Sequence, residues 1–511
     1  MTRIIKKNSL RVNIASNFIG SIWTTILVII FVPFYLRYIG IEAYGLIGVF
    51  TGIQAFIALL DFGLSPTLNR ELARLSAFDD QAQAMHDIKR TLEIPNWISA
   101  AVITVGLCAL SPLIAKYWVR PVDLTESTIT QSLWLMSISV AVQFLSSFYV
   151  GGVLGMQRQL YLNAVNIISS TLRSAGGFLV LVFISPTIQA FLIWQCFVAV
   201  FQLFSVWLLL KKSLPASPLK GRFQRELLKK IWRFAAGMTG LTILSLVLIQ
   251  TDKLILSRML SLQYFGYYAL AITISGMAVG TIVSSITNSV YPKYSHFVFV
   301  KDEAGLSDIY HRSCQVLSAV LIPVVLVIAA FSYQILQVWT GDEKISANTY
   351  LLLTITAIGT GLNGIMYLPY HLQLAHGWTR LSLYINVAAI IILVPVMIAG
   401  VYKYGAVGGA TVYAALNFSY IFITIQLMHR RILKDEKWKW YIQDLLFPLA
   451  ASALIVMTGR YFLNDEWVSL IKVLYIGGIL GLAFVAAIAV LPQLRSFILA
   501  PVFNARLAKQ S

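Results

Sequence analysis

About fourteen apolar segments, each long enough to cross a bilayer, follow one another through this chain, and Lys and Arg are shared unevenly between the loops that join them. The segments lie near residues 14–36, 44–66, 94–116, 131–153, 162–184, 187–210, 232–256, 264–289, 311–331, 346–370, 380–401, 405–428, 442–462 and 468–490. With the N-terminus on the cytoplasmic side, the non-translocated segments carry 29 Lys and Arg and the exoplasmic ones 9, with Arg173 left inside a span. Basic side chains resist translocation and are drawn to anionic inner-leaflet lipid, so both termini are expected in the cytoplasm.

A hydrophobic content of 58% against 12% charged residues is that of a membrane protein. The net charge of +18 follows the cytoplasmic rims and forms no basic patch interleaved with aromatic residues, so no nucleic-acid partner is expected. The first apolar segment is too long for a cleaved signal peptide and is expected to stay as a span. Cys108, Cys196 and Cys314 have no His or Cys at ligand spacing and read as packing residues, and no metal site is expected. Trp97, Trp118, Trp232, Trp438, Trp440, Tyr441 and Trp467 fall at span ends, where amphipathic rings sit at headgroup level.

There is no phosphate-cradling G-x-x-x-x-G-K-[ST] loop, no H-E-x-x-H, and no loop long enough to form a soluble domain. ATP hydrolysis is excluded, and an enzyme that needs a large extracytoplasmic loop fits poorly. A helix-only body with short loops is that of a transporter.

An internal repeat sharpens this expectation. Arg37 follows the first span and Gly45 follows Tyr44; Arg258 follows the seventh span and Gly266 follows Phe265, each pair displaced by 221 residues. Two copies in one orientation predict an all-α polytopic fold of two six-helix lobes, related by a pseudo-two-fold axis along the membrane normal, plus two C-terminal spans. The expected divisions are an N-terminal lobe over 1–210, a basic cytoplasmic linker over 211–231, a C-terminal lobe over 232–428, and spans 13 and 14 with a cytoplasmic tail over 429–511. In the linker Phe223, Leu227 and Ile231 recur every four residues among basic ones, which predicts an interfacial helix; a solvated linker is the alternative.

Charge within the spans points to the chemistry. Arg173 lies about 11 residues, or roughly 16 Å, into the fifth span, near the middle of a hydrocarbon core about 30 Å thick. An arginine there needs a wet cavity or a partner. Asn166, Ser169, Ser170 and Gly177 share its face, and polar stripes also run along span 1 (Asn13, Asn17, Ser21, Thr24) and span 7 (Thr242, Ser245, Asp252). Such stripes line a central cavity or serve as interhelical hydrogen-bonding glue, and Arg173 either meets a ligand or pairs with a buried carboxylate. Asp61 and Asp252 end spans and are candidates for coupling-ion sites; His371 and His376 read as solvated rim residues.

The segments Leu60-Asp61-Phe62-Gly63-Leu64 to Arg70, Thr251-Asp252-Lys253-Leu254-Ile255-Leu256 to Phe265-Gly266-Tyr267-Tyr268, Leu368-Pro369-Tyr370 to Gly377, Tyr404-Gly405-Ala406-Val407-Gly408-Gly409-Ala410 and Asn417 carry a likeness that extends over all the spans. The chain resembles the polysaccharide-transport (Wzx-type) flippases of the multidrug, oligosaccharidyl-lipid and polysaccharide exporter superfamily. The resemblance implies a bacterial inner-membrane protein that moves undecaprenyl-diphosphate-linked oligosaccharide to the periplasmic leaflet by alternating access. It implies a proton or sodium gradient as the driving force, no cofactor, and a polysaccharide polymerase and a chain-length regulator as partner proteins. On that reading Arg173 meets the diphosphate, Arg37 and Arg258 guide it at the rim, and Asn17, Asn166 and Asn386 face the sugar. A multidrug or cation antiporter of the same superfamily and a non-transporting scaffold for polysaccharide enzymes are the alternatives; cationic drugs would call for carboxylates at the midplane, where the charge here is basic.

Overall fold

The computed structural model of the chain describes residues 10–61, 63–217 and 219–493, and within these the side chains of 10–15, 17, 18, 58, 59, 79, 227 and 230–245 lie outside the description. Among the described residues every regular element is helical. The chain divides into two compact units, Met1–Gly266 and Tyr267–Ser511. The first contains α1 (Leu10–Ile57), α2 (Leu64–Leu75), α3 (Ala82–Leu113), α4 (Glu126–Gly155), α5 (Gln159–Thr171), α6 (Gly177–Phe183), α7 (Ile188–Ser213) and α8 (Arg225–Met259). The division falls inside α9 (Leu262–Val300). The second unit continues with α10 (Glu303–Ala330), α11 (Ser332–Thr340), α12 (Glu343–Ile365), α13 (Tyr367–Ala375), α14 (Thr379–His429), α15 (Lys437–Lys439), α16 (Phe447–Tyr461) and α17 (Ser469–Val490).

Eleven of these helical stretches are long and apolar enough to cross a membrane. Two of them, α1 and α14, each hold two consecutive spans joined at a glycine with positive φ, Gly40 (φ 79°) and Gly405 (φ 61°). Only a residue without a Cβ takes that backbone without strain, so the chain reverses there without a loop. With those bends and α8, all fourteen expected spans have a helical counterpart. Inside hydrocarbon each backbone group must be satisfied within its own helix, and the polar starts show how: Thr125, Thr187, Asp302 and Asp342 each accept the backbone N–H three residues on, at 3.2, 3.3, 2.9 and 2.9 Å.

In the first unit Leu68, Leu72, Leu92, Phe148, Val153 and Leu210 form a core between α2, α3, α4 and α7. In the second, spans 13 and 14 pack onto α10, where Val327 and Phe331 meet Val456, Ile479 and Ala483. Tyr310, Leu317 and Leu321 of α10 share a second core with Met428 and Trp440.

The repeat meets itself in the first unit. A Cβ on Gly45 would collide with the Leu262 carbonyl oxygen and lie 3.1 Å from Gly266 Cα, and a Cβ on Gly266 would collide with the Ile41 carbonyl oxygen. Ile41 and Leu262 are separated by the same 221 residues as the two glycines, so the contact is reciprocal, as at a two-fold axis. The loop after α3 fastens the same end. Glu42 accepts the N–H groups of Val122, Asp123 and Leu124 at 2.6, 2.8 and 3.2 Å, and the Arg120 carbonyl accepts Leu262 N–H at 2.8 Å. The charge bias predicts that this end is exoplasmic.

The basic linker is strapped to the start of α3 rather than free in solvent. Arg222 N–H donates to Asp87 at 2.7 Å, Gln224 N–H to Thr91 at 3.0 Å, Ser217 donates to Gln83, and the His86 ring bonds the Pro215 carbonyl at 2.9 Å. Its helix begins at Arg225 and runs without a break into the seventh span, so the helical turns expected there are the first turns of α8. The orientation is open to direct measurement. In a cysteine-free background, Ala216→Cys and Asp435→Cys are expected to resist a membrane-impermeant thiol reagent in intact cells, and Glu343→Cys to react. Labelling at 216 from outside would reverse the assigned topology.

Candidate functional site

The fifth span is not a regular α-helix through its middle. Between α5 and α6 the chain makes a π-helical turn over Leu172–Gly176, and Arg173 sits on it. Such a turn loosens the backbone ladder, and three successive carbonyls there take an additional side-chain donor. Leu172 O accepts from the Trp194 indole at 2.8 Å, Arg173 O from Gln195 Nε2 at 3.3 Å, and Ser174 O from the Tyr35 hydroxyl at 2.8 Å. Gly176 makes the room for this, because a Cβ there would collide with the Trp194 ring. The turn is thereby fixed from two sides, by α1 and by α7.

The half-buried guanidinium is held by neutral groups. Arg173 Nη1 donates to Gln195 Oε1 at 3.4 Å and Nη2 to Gln202 Oε1 at 3.2 Å, while Gln202 Nε2 donates to Asn166 Oδ1 at 3.3 Å. Among the described residues Arg173 forms no ion pair with a carboxylate, so the structural ion-pair role is without a partner there. A planar cation whose side-chain acceptors among the described residues are amides can take an anion with several oxygens. Nearby on the same helices, Trp23 Nε1 donates to Thr171 at 2.9 Å and Asn163 Nδ2 to Ser16 at 2.9 Å, continuing the polar seam between α1 and α5.

Of the residues expected from sequence, the structure joins Arg173 and Asn166 through Gln202. Arg37 and Arg258 are exposed, on α1 and α8, at the end where Gly45 and Gly266 cross. Asn386 lies on α14, in the second unit. The side chain of Asn17 falls outside the described residues, as do those of Asn13, Thr242 and Ser245. Asp61 is engaged locally, accepting Ser65 N–H at 3.1 Å and the Ser65 hydroxyl at 2.6 Å at the start of α2. Asp252 is buried, and the adjacent Lys253 donates to Gln250 at 3.1 Å.

Two groups escaped the sequence reading. Gln195 and Gln202 are seven residues apart, two turns on one face of a largely apolar helix, and that spacing beside an intramembrane arginine was the available signal. The other is a charge cluster in the second unit. His311, fully buried on α10, bonds Asp444 through Nδ1 and Glu436 through Nε2 (3.1 Å); Gln315 donates to the other Asp444 oxygen at 2.9 Å. Glu436 also accepts from Ser307 at 2.7 Å and pairs with Lys439 at 3.3 Å. Burial works against the ionised form of Glu436, but the Ser307 hydroxyl, His311 and Lys439 together hold its carboxyl below the usual carboxylate range. The cluster ties the loop before span 13, and span 13 itself, to α10.

The fold and the apolar helices define a polytopic, all-helical membrane protein with an arginine set inside its fifth span. The structure is similar to that of the lipid II flippase MurJ in an inward closed conformation (TM-score 0.69, 16% identity, 97% of this chain and 100% of that one). It is also similar to an inward-facing multidrug resistance transporter of the MATE family, MOP superfamily (TM-score 0.60, 13% identity, 84% and 98%). The chain belongs to the family described as "Polysaccharide biosynthesis protein", which it matches over residues 10–298. It is 21% identical over 395 residues to the "Putative O-antigen transporter" of Shigella flexneri, across 77% of this chain and 91% of that one.

Proposed function

We propose that the protein is a flippase that carries undecaprenyl-diphosphate-linked oligosaccharide from the cytoplasmic to the periplasmic leaflet, by alternating access, for a cell-surface polysaccharide. The observation that carries this reading is the Arg173 guanidinium, set in the fifth span among amides and with no carboxylate at hydrogen-bonding distance among the described residues. A diphosphate-sugar head cannot enter hydrocarbon unaided, because an unpaired charge there costs several kcal/mol or more. A fixed cation offsets that cost, and Asn166 and the hydroxyl groups on the α1 and α5 seam offer hydrogen bonds suited to sugar. A drug-cation antiporter would require an anionic group in this place, and the cage is cationic. The driving force on this reading is a proton or sodium gradient, with buried Asp252 as the candidate for the coupling ion.

The test is deletion of the gene in its host, followed by analysis of lipid-linked glycan. The expected result is loss of the surface polysaccharide and accumulation of its undecaprenyl-diphosphate-linked repeat unit in the inner leaflet, shielded from periplasmic glycan-modifying probes. Unchanged surface glycan without accumulation would refute the assignment, and hypersensitivity to cationic drugs in its place would favour the antiporter.

A further inference from the structure

Arg173 is fixed by two amides whose own orientation is fixed in turn. Gln195 turns Nε2 to the Arg173 carbonyl and therefore Oε1 to the guanidinium; Gln202 turns Nε2 to Asn166 and therefore Oε1 to the guanidinium. Each supplies one acceptor and no charge. A guanidinium has five N–H donors, and these two bonds leave the others for a ligand. A carboxylate in place of either amide would hold the side chain as well or better, but would cancel its charge.

We propose that Gln195 and Gln202 are specificity-determining positioning residues, which hold the Arg173 fork in place for a diphosphate while leaving its positive charge uncompensated. The proposal rests on the diphosphate reading above. The site then selects against neutral and cationic headgroups because only an anion completes the charge balance, and it selects a group with several oxygens because the fork is held planar and open. Gln202 is the better place to test it. Gln202→Glu changes one nitrogen to oxygen, and Asn166 can rotate its amide to donate in return. At Gln195 the same change would set a carboxylate against the Arg173 carbonyl.

Binding of undecaprenyl diphosphate would be measured for purified protein in nanodiscs, alongside the thermal unfolding midpoint. Gln202→Glu is expected to weaken binding by on the order of tenfold or more with an unfolding midpoint at or above that of the wild type, because the new ion pair competes with the ligand. Gln202→Leu removes the acceptor without adding charge and is expected to lose only about a fewfold. Arg173→Ala marks complete loss. Wild-type binding by Gln202→Glu, or equal losses for Glu and Leu, would overturn the proposal while leaving the diphosphate reading intact if Arg173→Ala still fails. Wild-type binding by Arg173→Ala would remove the diphosphate reading and this inference together.

Discussion

Arg173→Ala is expected to abolish transport of the lipid-linked glycan while leaving the protein in the membrane at close to its normal abundance. The two effects separate because of what surrounds the guanidinium. Its partners are Gln195 and Gln202, and removing the cation strands no carboxylate among the described residues. The structural loss is two hydrogen bonds, about 0.5–1.5 kcal/mol each, and both amides keep a second partner. The functional loss is larger, since a diphosphate entering the span would find no opposite charge. Arg173→Lys is expected to retain part of the activity, because an ammonium keeps the charge and loses the planar fork. The measurement pairs membrane abundance with glycan translocation for the wild type, Ala and Lys forms. Normal translocation by a well-expressed Ala form would end the diphosphate assignment.

Asp444→Ala is expected to lower the stability of the second unit by several kcal/mol, on the order of 1–3 for each buried partner left unbonded. Asp444 is 1% exposed and accepts from His311 and Gln315, while the second nitrogen of His311 faces Glu436. Both ring nitrogens thus face carboxylates. Removing the more deeply buried one leaves an imidazole with half its partners and a buried amide with one fewer. Leaving a buried polar group without its hydrogen-bond partner costs about 1–3 kcal/mol, and here two groups lose one. Asp444→Asn keeps an acceptor and is expected to lose less. Thermal unfolding of the purified protein reads both, and an unchanged midpoint for Asp444→Ala would show that the cluster does not hold span 13 against α10.

The helical ladder was legible because spanning a bilayer demands long apolar runs, and α4, α7, α10 and α17 match runs read directly from the sequence. The bends were not. Nothing in hydropathy distinguishes a loop from a glycine at which two spans join end to end, as at Gly40 and Gly405. At the site, Arg173 was legible because a charge in hydrocarbon is conspicuous on its own. Its glutamine partners were not, because polar uncharged residues within a span more often serve packing. The His311 cluster escaped for a different reason. Asp444 is 133 residues from His311 and each sits at the edge of a span, where a single ionisable group is ordinarily solvated. Only the folded chain brings them together and buries both.

The crossing of Gly45 and Gly266 has a mechanical consequence. Where those two backbones touch, the glycines themselves present no side chain, so carbonyl oxygens meet bare backbone, Leu262 against Gly45 and Ile41 against Gly266, with the Ile41 side chain beside the latter. Contacts of that kind are individually weak, about 0.5–1 kcal/mol each. The glycines therefore set the closest approach of the two backbones, with the polar fastening by Glu42 and the Arg120 carbonyl alongside, and a side chain at either position would prop them apart.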